Sequence, residues 1–481
     1  MKFLKLSLAA SVALGALSTS SFAQPLEEAI KGVDVSGYLR YRYTDNRYNA
    51  SEKNPNIGVP GRGSAAHQWR AVADFKTPAI NNVALNLGIW YNNSNTVNHG
   101  KGTSDANFVG TGLGAGADGQ FGVRSFYATI TPDNTATTVK IGKQPLDTPI
   151  TYAPDGDRGT GILVLNNDVP NLTLVATAFD SWIVNEATTR NPRDRFANAT
   201  PTQTNLATNN SIDKNLYGVA GIYNLDTDYG NFGGQLWGFY IDSTVDALVF
   251  GELSWKNSLL RAKAQYTYAA INNDKDSIFA TYYGNPILAN NQVNAKKADI
   301  KESNDILALE VGANLTQDYQ LPLDVRLGYI TNFADGTAVA LENEGSNVSR
   351  AGKVWWDNAA TGISTSALQA YGVHGLDQKQ DINVFYAAGN YGFIDNRLNL
   401  GLEFAYGQNK ISENKANGRL PGQKIKFTEI TPTISWKHSK NLTLSSYYAY
   451  LQTDTDLKKS NNQNVEDQKR GKFRVEAKYS F

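Results

Sequence analysis

Apolar and polar residues alternate along this chain in short runs. In the first, Val33, Val35, Leu39, Tyr41 and Tyr43 share one face against Asp34, Ser36, Arg40 and Arg42. In the next, Trp69, Ala71, Ala73 and Phe75 oppose Arg70, Asp74 and Lys76. A turn holding Pro78 and Asn81-Asn82 then leads into Val83, Leu85, Leu87, Ile89 and Tyr91. A strand sends successive side chains to opposite faces, so a period of two predicts strands with one apolar and one polar side. The pattern returns at 260–268, 307–315, 323–329, 398–406 and 442–450. In the last run, Gly471 to Phe481, Phe473, Val475, Ala477, Tyr479 and Phe481 face away from Lys472, Arg474, Glu476, Lys478 and Ser480.

Counting such runs predicts about eighteen strands, with sixteen as the alternative count. Their starts lie near residues 33, 68, 83, 121, 137, 161, 172, 214, 233, 246, 259, 306, 323, 382, 398, 428, 442 and 472. The connectors alternate in length. Short ones lie at Pro78, Asp133-Asn134, Asn166 to Asn171, Gln317 to Pro322, Asp395-Asn396 and Ser439 to Asn441. Long ones lie near 44–67, 92–118, 185–213, 270–304, 332–378, 408–426 and 453–470, and only Asp242 to Val245 is short where a long one is due. Short periplasmic turns and long extracellular loops mark a transmembrane antiparallel β-barrel, an all-β fold whose charged strand faces line water. The long loops are rich in Asn, Gly, Asp, Lys, Ser and Thr, which for most of them means solvated surface.

The N-terminus points to the same compartment. Lys2 and Lys5, the apolar run Leu6 to Leu17 and Ser21-Phe22-Ala23 have the layout of a cleaved signal peptide, residues 1–23, preceding one domain over 24–481. That apolar run is too short to span a bilayer as a helix, which takes about 20 residues. Mean hydropathy is −0.40, as expected when only alternate residues meet lipid. The 25 Tyr and 42 Gly suit a barrel with interfacial tyrosines, and would equally suit a secreted carbohydrate-binding β protein. Lys plus Arg and Asp plus Glu balance at 45 each, leaving no net charge to attract nucleic acid.

Catalytic signals are weak. There is no Cys for thiol chemistry or Cys-ligated zinc, and His67, His99, His374 and His438 stand in no H-E-x-x-H arrangement. Gly112 to Ala117 has the letters of a dinucleotide fingerprint but lacks the preceding strand and following helix that the chemistry needs. No enzyme is expected.

What remains is charge facing a lumen. Arg40, Arg42, Arg70, Arg124, Arg261, Lys263 and Arg326 fall at or near inward positions. A charged side chain facing lipid at mid-depth costs about 2–4 kcal/mol, which fixes this phase. Arg40 and Arg42 are consecutive inward positions on one strand, where like charges repel unless acids or passing anions face them. The stiff segment from Gly142 to Gly159 carries Lys143, Asp147, Asp155, Asp157, Arg158 and three prolines. Folded inward, it would set its three acids against the arginine wall and create a transverse field at a constriction. An ordinary surface loop is the competing reading.

Several motifs resemble a known family. Pro25-Leu26-Glu27-Glu28-Ala29-Ile30-Lys31, followed by Val33 to Gly37 and Arg40-Tyr41-Arg42-Tyr43, looks like the mature N-terminus of the Campylobacter-type major outer membrane porin family. Gly142-Lys143-Gln144, Asp155-Gly156, Gly159-Thr160-Gly161 and Asn166-Asn167 resemble its fifth and sixth strands and the loop between them, and Tyr479-Ser480-Phe481 is similar to its end. The resemblance implies a homotrimeric, cation-leaning diffusion porin of eighteen strands with a calcium ion near the constriction. It places Asp155 and, across a divergent loop, Glu342 at acidic positions tied to that ion. Its partners would be outer-membrane lipid, small hydrophilic solutes and ions, and the outer-membrane insertion machinery, which would read Phe481. The chain is therefore expected to be a passive porin of a Gram-negative outer membrane. A substrate-selective channel of the same fold and a surface adhesin acting through its loops are the alternatives.

Overall fold

The structure is a computed structural model that describes residues 32–48, 64–98, 120–183, 214–277, 297, 300–341, 347–358, 378–414, 423–455, 467 and 469–481. The signal-peptide region, Gly112 to Ala117, His99, His374 and Glu342 lie outside these residues. The described chain is almost entirely strand. In order these are β1 (Asp34–Tyr48), β2 (Ser64–Lys76), β3 (Val83–Asn98), β4 (Gln120–Ile130), β5 (Thr137–Pro145) and β6 (Arg158–Asn166). Next come β7 (Leu172–Ile183), β8 (Leu216–Thr227), β9 (Gly230–Ile241), β10 (Val245–Lys256), β11 (Leu260–Ile271) and β12 (Ser303–Asn314). The last are β13 (Leu323–Thr331), β14 (Gln378–Phe393), β15 (Leu398–Asn414), β16 (Gln423–Lys437), β17 (Leu442–Thr455) and β18 (Lys469–Ser480).

Each strand pairs antiparallel with its sequence neighbours, and β18 returns to β1 from Tyr38↔Ser480 to Tyr48↔Arg470. Closure satisfies backbone groups that lipid cannot. At the seam, Phe481 N–H donates to the Gly37 carbonyl and Gly37 N–H to that of Phe481, at 3.1 and 3.0 Å. The eighteen strands match the larger expected count. The largest offsets in predicted starts, at β2, β14 and β16, all lie at the long-loop rim. There the strands continue beyond the apolar belt, and the alternation that signals them fades.

The phase follows the sequence pattern. Leu39, Phe126, Val219, Leu236, Leu253, Leu327, Phe385 and Leu402 are exposed on the outside. Their chain neighbours point inward and are mostly polar or charged. β4 departs from strict alternation: a bulge at Arg124 shifts the register between Gly88↔Ser125 and Ile89↔Val123. A bulge puts two residues against one, so Arg124 reaches Asp74 (3.6 Å) while Ser125 lies buried beside Gly88. The short turns use Asn in left-handed conformation, as at Asn82 (φ 66), Asn134 (φ 64) and Asn171 (φ 65). Two of these turns are tied together by Asp168. Hydrogen bonds from the Thr135 hydroxyl, the Ala136 N–H and the Asn166 amide hold its carboxyl below the usual range.

One packing detail yields a stability prediction. Gly328 and Tyr386 are register partners, and a Cβ at 328 would fall 2.1 Å from Tyr386 Cζ. The ring therefore lies over the glycine, and its hydroxyl donates to Glu310 (2.9 Å), which also pairs with Arg326 (3.1 Å). Gly328→Val should expel the ring and destabilise the barrel by about 1–3 kcal/mol, the usual cost of overpacking. The onset temperature of heat-modified gel migration should fall; an unchanged onset would contradict this packing.

Candidate functional site

Three strands, β5, β6 and β13, are the shortest in the barrel at nine residues each. Each borders a connector that turns into the lumen. After β5, Pro145 cannot donate a backbone hydrogen bond, and β4 pairs with β5 only from Phe126↔Lys143 to Ile130↔Val139. The chain leaves the wall there. Residues 146–157 form a compact loop: Leu146 N–H donates to the Asp157 carbonyl (3.0 Å), Thr151 Oγ1 to the Leu146 carbonyl (2.9 Å), and Tyr152 N–H to Asp157 Oδ2 (2.7 Å). Leu146 and Ile150 pack with Phe179, Trp182, Trp237, Phe239 and Phe250 of the inner wall. A 3-10 turn, Ala153–Asp155, forms the far side of the loop. From β2, Arg70 donates to the Pro154 carbonyl (3.3 Å), and Arg158 donates to that of Gly156 (3.0 Å). Both guanidinium groups lie over Trp90 of β3, at 5.5 and 4.8 Å from the ring centroid.

The connector after β13 also lies inside. Over the described residues 332–341 and 347–358 it is an exception to the solvated surface expected of most long loops. Ala338, Ala340 and Leu341 join the apolar cluster of the first loop, while Val348, Val354, Trp355 and Trp356 pack on Ile306, Ile382, Val384, Phe427 and Leu451. The inner wall anchors it with polar side chains. Asp305 accepts the N–H groups of Phe333 and Ala334, at 2.8 and 2.7 Å, and Gln265 accepts that of Ser349 (2.7 Å). On β16, the fully buried Glu429 carboxylate accepts N–H groups from Lys353 (2.5 Å), Val354 (3.0 Å) and Trp355 (2.7 Å), plus the Thr431 hydroxyl (2.8 Å). On β15, Glu403 accepts Gly352 N–H (2.7 Å) and the Lys353 ammonium (2.8 Å). Consecutive N–H groups at the start of the short helix Trp355–Asn358 thus close on carboxylates of the wall, as helix N-termini favour. The two inward loops meet through Leu341 N–H to the Ile150 carbonyl and Asn347 N–H to that of Pro149, each 3.0 Å.

Together the loops cover the inner wall from β7 to β17. Among the described residues, these apolar clusters include no residue of β18 or β1 to β4, whose inner faces carry charged side chains. Arg42 pairs with Glu476 (2.7 Å), and Arg124 with Asp74 (3.6 Å). Arg40 stands in register between Arg70 and Lys478. Of the other expected residues, Lys143 donates to the Val123 carbonyl (2.6 Å) where β4 and β5 part, and Asp147 is exposed on the loop. Asp157 is buried, with one oxygen on Tyr152 N–H. The Asp155 side chain, like Glu342, lies outside what is described. Arg261 and Arg326 pair with Asp324 (2.5 Å) and Glu310 (3.1 Å) of the wall. Trp90, Glu403, Glu429 and the second inward loop escape the sequence reading. The apolar runs Ala338 to Leu341 and Val354-Trp355-Trp356, unusual in a solvated loop, are the signal for that loop.

A family model described as Campylobacter major outer membrane protein matches residues 1–479 of the chain. Among solved structures, the chain is similar to OccAB3 of Acinetobacter baumannii, at 14% identity over 93% of this chain and 99% of that one (TM-score 0.56). It is similar to a BenF-like porin from Pseudomonas fluorescens Pf-5, at 15% identity over 94% and 99% (TM-score 0.57). It is also similar to the outer membrane protein opdK from Pseudomonas aeruginosa, at 12% identity over 93% and 99% (TM-score 0.55). At such identities the likeness is one of fold. A search of curated proteins finds no match.

Proposed function

Because the chain belongs to the Campylobacter major outer membrane protein family and forms an outer-membrane porin channel, we propose that it passes ions and small hydrophilic solutes by passive diffusion through a charged, eccentric eyelet. The observation that carries this reading is the placement of the two inward loops. They pack on the inner wall from β7 to β17, and the arginines of β1, β2 and β4 would border the remaining passage. Carboxylates of Asp147 and Asp155 on the first loop, set against the arginines of that wall, would orient the dipole of a passing solute. Asp155→Asn should therefore change single-channel conductance or shift the reversal potential in a salt gradient. Both values unchanged would place the 146–157 loop's acids outside the eyelet.

The finer features follow the family. The protein is exported with cleavage of residues 1–23, inserted by machinery that reads Phe481, and assembled as a homotrimer. Calcium is held by Asp155 and Glu342. Leu341, the residue before Glu342 in the sequence, donates its N–H to the Ile150 carbonyl of the loop that carries Asp155, and carboxylate oxygens are suitable calcium ligands. Calcium chelation should then lower the temperature of heat-modified migration; no change would remove calcium from the account.

A further inference from the structure

The lipid side of the barrel is not evenly covered. On β11 the outward positions Ala262 and Ala264 stand in register with Trp255 and Leu253 of β10 on one side, and with Val311 and Leu309 of β12 on the other. Methyl groups between longer side chains make a trough along β11, a concavity of about 820 Å³ whose outward side chains are apolar or aromatic. Leu253 forms its ridge: it is 71% exposed, and its partner on the far side is Gly234. β10 and β12 lie two strand spacings apart, about 10 Å. With their side chains in place, the trough admits one extended hydrocarbon chain and not the convex wall of another barrel. From Leu260, exposed at the foot of β11, to Tyr266 the strand rises about 20 Å. At the usual barrel tilt of about 40° that is about 15 Å along the membrane normal, half the hydrocarbon core and so one leaflet. Tyr266 ends the trough, its hydroxyl drawn toward the long-loop rim by Asp305 (3.1 Å). The foot carries interfacial groups. Trp255 Nε1 donates to the Tyr229 carbonyl (3.1 Å), which holds the indole at the level of the short turns. At the same end Lys256, exposed, lines a polar recess of about 390 Å³ with Asn257, Ser258, Thr316 and Gln317.

We propose that the trough over β11 seats one acyl chain of a glycerophospholipid from the periplasmic leaflet, with the headgroup phosphate beside Lys256. Inside a bilayer no hydrophobic drive separates protein from lipid, so the chain is held by van der Waals packing in a slot of its own width. The ammonium at the foot adds attraction for the phosphate at headgroup level. The site lies on the outer wall and does not depend on the charged eyelet.

The test is native mass spectrometry of the purified barrel, released from detergent micelles that contain palmitoyl-oleoyl phosphatidylethanolamine. Wild type should retain one phospholipid per chain. Ala264→Phe fills the trough between Leu253 and Leu309 and should lower the retained fraction about tenfold. Ala71→Phe, at an outward position of β2 between Leu39 and Tyr91, should leave it unchanged. Heat-modified gel migration shows which variants fold. If Ala264→Phe does not, Leu253→Ala removes the ridge and carries the same expectation. Wild type without retained lipid, or equal retention in wild type and trough variants, would overturn the site. So would a wild-type oligomer that Ala264→Phe splits into single chains, because a second copy would then cover the trough.

Discussion

Glu429→Ala is expected to free the second inward loop and to raise single-channel conductance, with frequent flicker. The carboxylate accepts three consecutive backbone N–H groups, Lys353 to Trp355, in a site with no exposure to solvent. Alanine leaves those donors buried without acceptors, each costing about 1–3 kcal/mol. The summed effect, about 3–5 kcal/mol, is typical of removing one partner of a buried charged network. That loss removes the polar anchor of residues 347–356, which should then detach more often from the wall. Glu429→Gln retains one acceptor oxygen and should fall between alanine and wild type. Chemical unfolding in detergent would measure the loss of stability, and bilayer recording the change in pore. Wild-type conductance and noise in the alanine variant would show that the loop is held by its apolar contacts alone.

The second large effect is expected at Trp90. Its indole carries both guanidinium groups that hold the first loop, Arg70 on the Pro154 carbonyl and Arg158 on that of Gly156. A cation over an aromatic face contributes about 0.5–2 kcal/mol depending on its desolvation. Trp90→Ala removes two such contacts and leaves both side chains free to rotate. The 3-10 turn Ala153–Asp155 should then fluctuate across the passage, seen as increased open-channel current noise. Trp90→Phe preserves a ring face and should restore most of the quiet current. Equal noise in all three proteins would assign the loop's position to Leu146 and Ile150 instead.

The barrel was legible in the sequence because its cause is local. A residue facing lipid beside one facing water produces an alternation that each strand carries by itself, as in Phe473 to Tyr479 against Lys472 to Lys478. The bulge at Arg124 was not legible, since it alters register without altering composition. For the site, the first inward loop announced itself through its prolines, one ending β5 and two more before β6. The second was harder to read, because the partners of its two short apolar runs lie on strands far away in sequence: Trp355 meets Phe427, and Gln265 meets Ser349. Charge was readable as a face but not as pairs. Arg42 with Glu476 spans nearly the whole chain, and only closure of the barrel brings them together. The row that Arg40 forms with Arg70 and Lys478 is visible only once β18 has returned to β1.

The central claim is a water-filled channel narrowed by two loops against a cationic wall. It is tested most directly by planar-bilayer recording of the purified, heat-modifiable barrel. Discrete, stepwise increments of conductance that stay ohmic at low voltage are the predicted result. A barrel that migrates as folded protein yet gives no steps under the same conditions would contradict it.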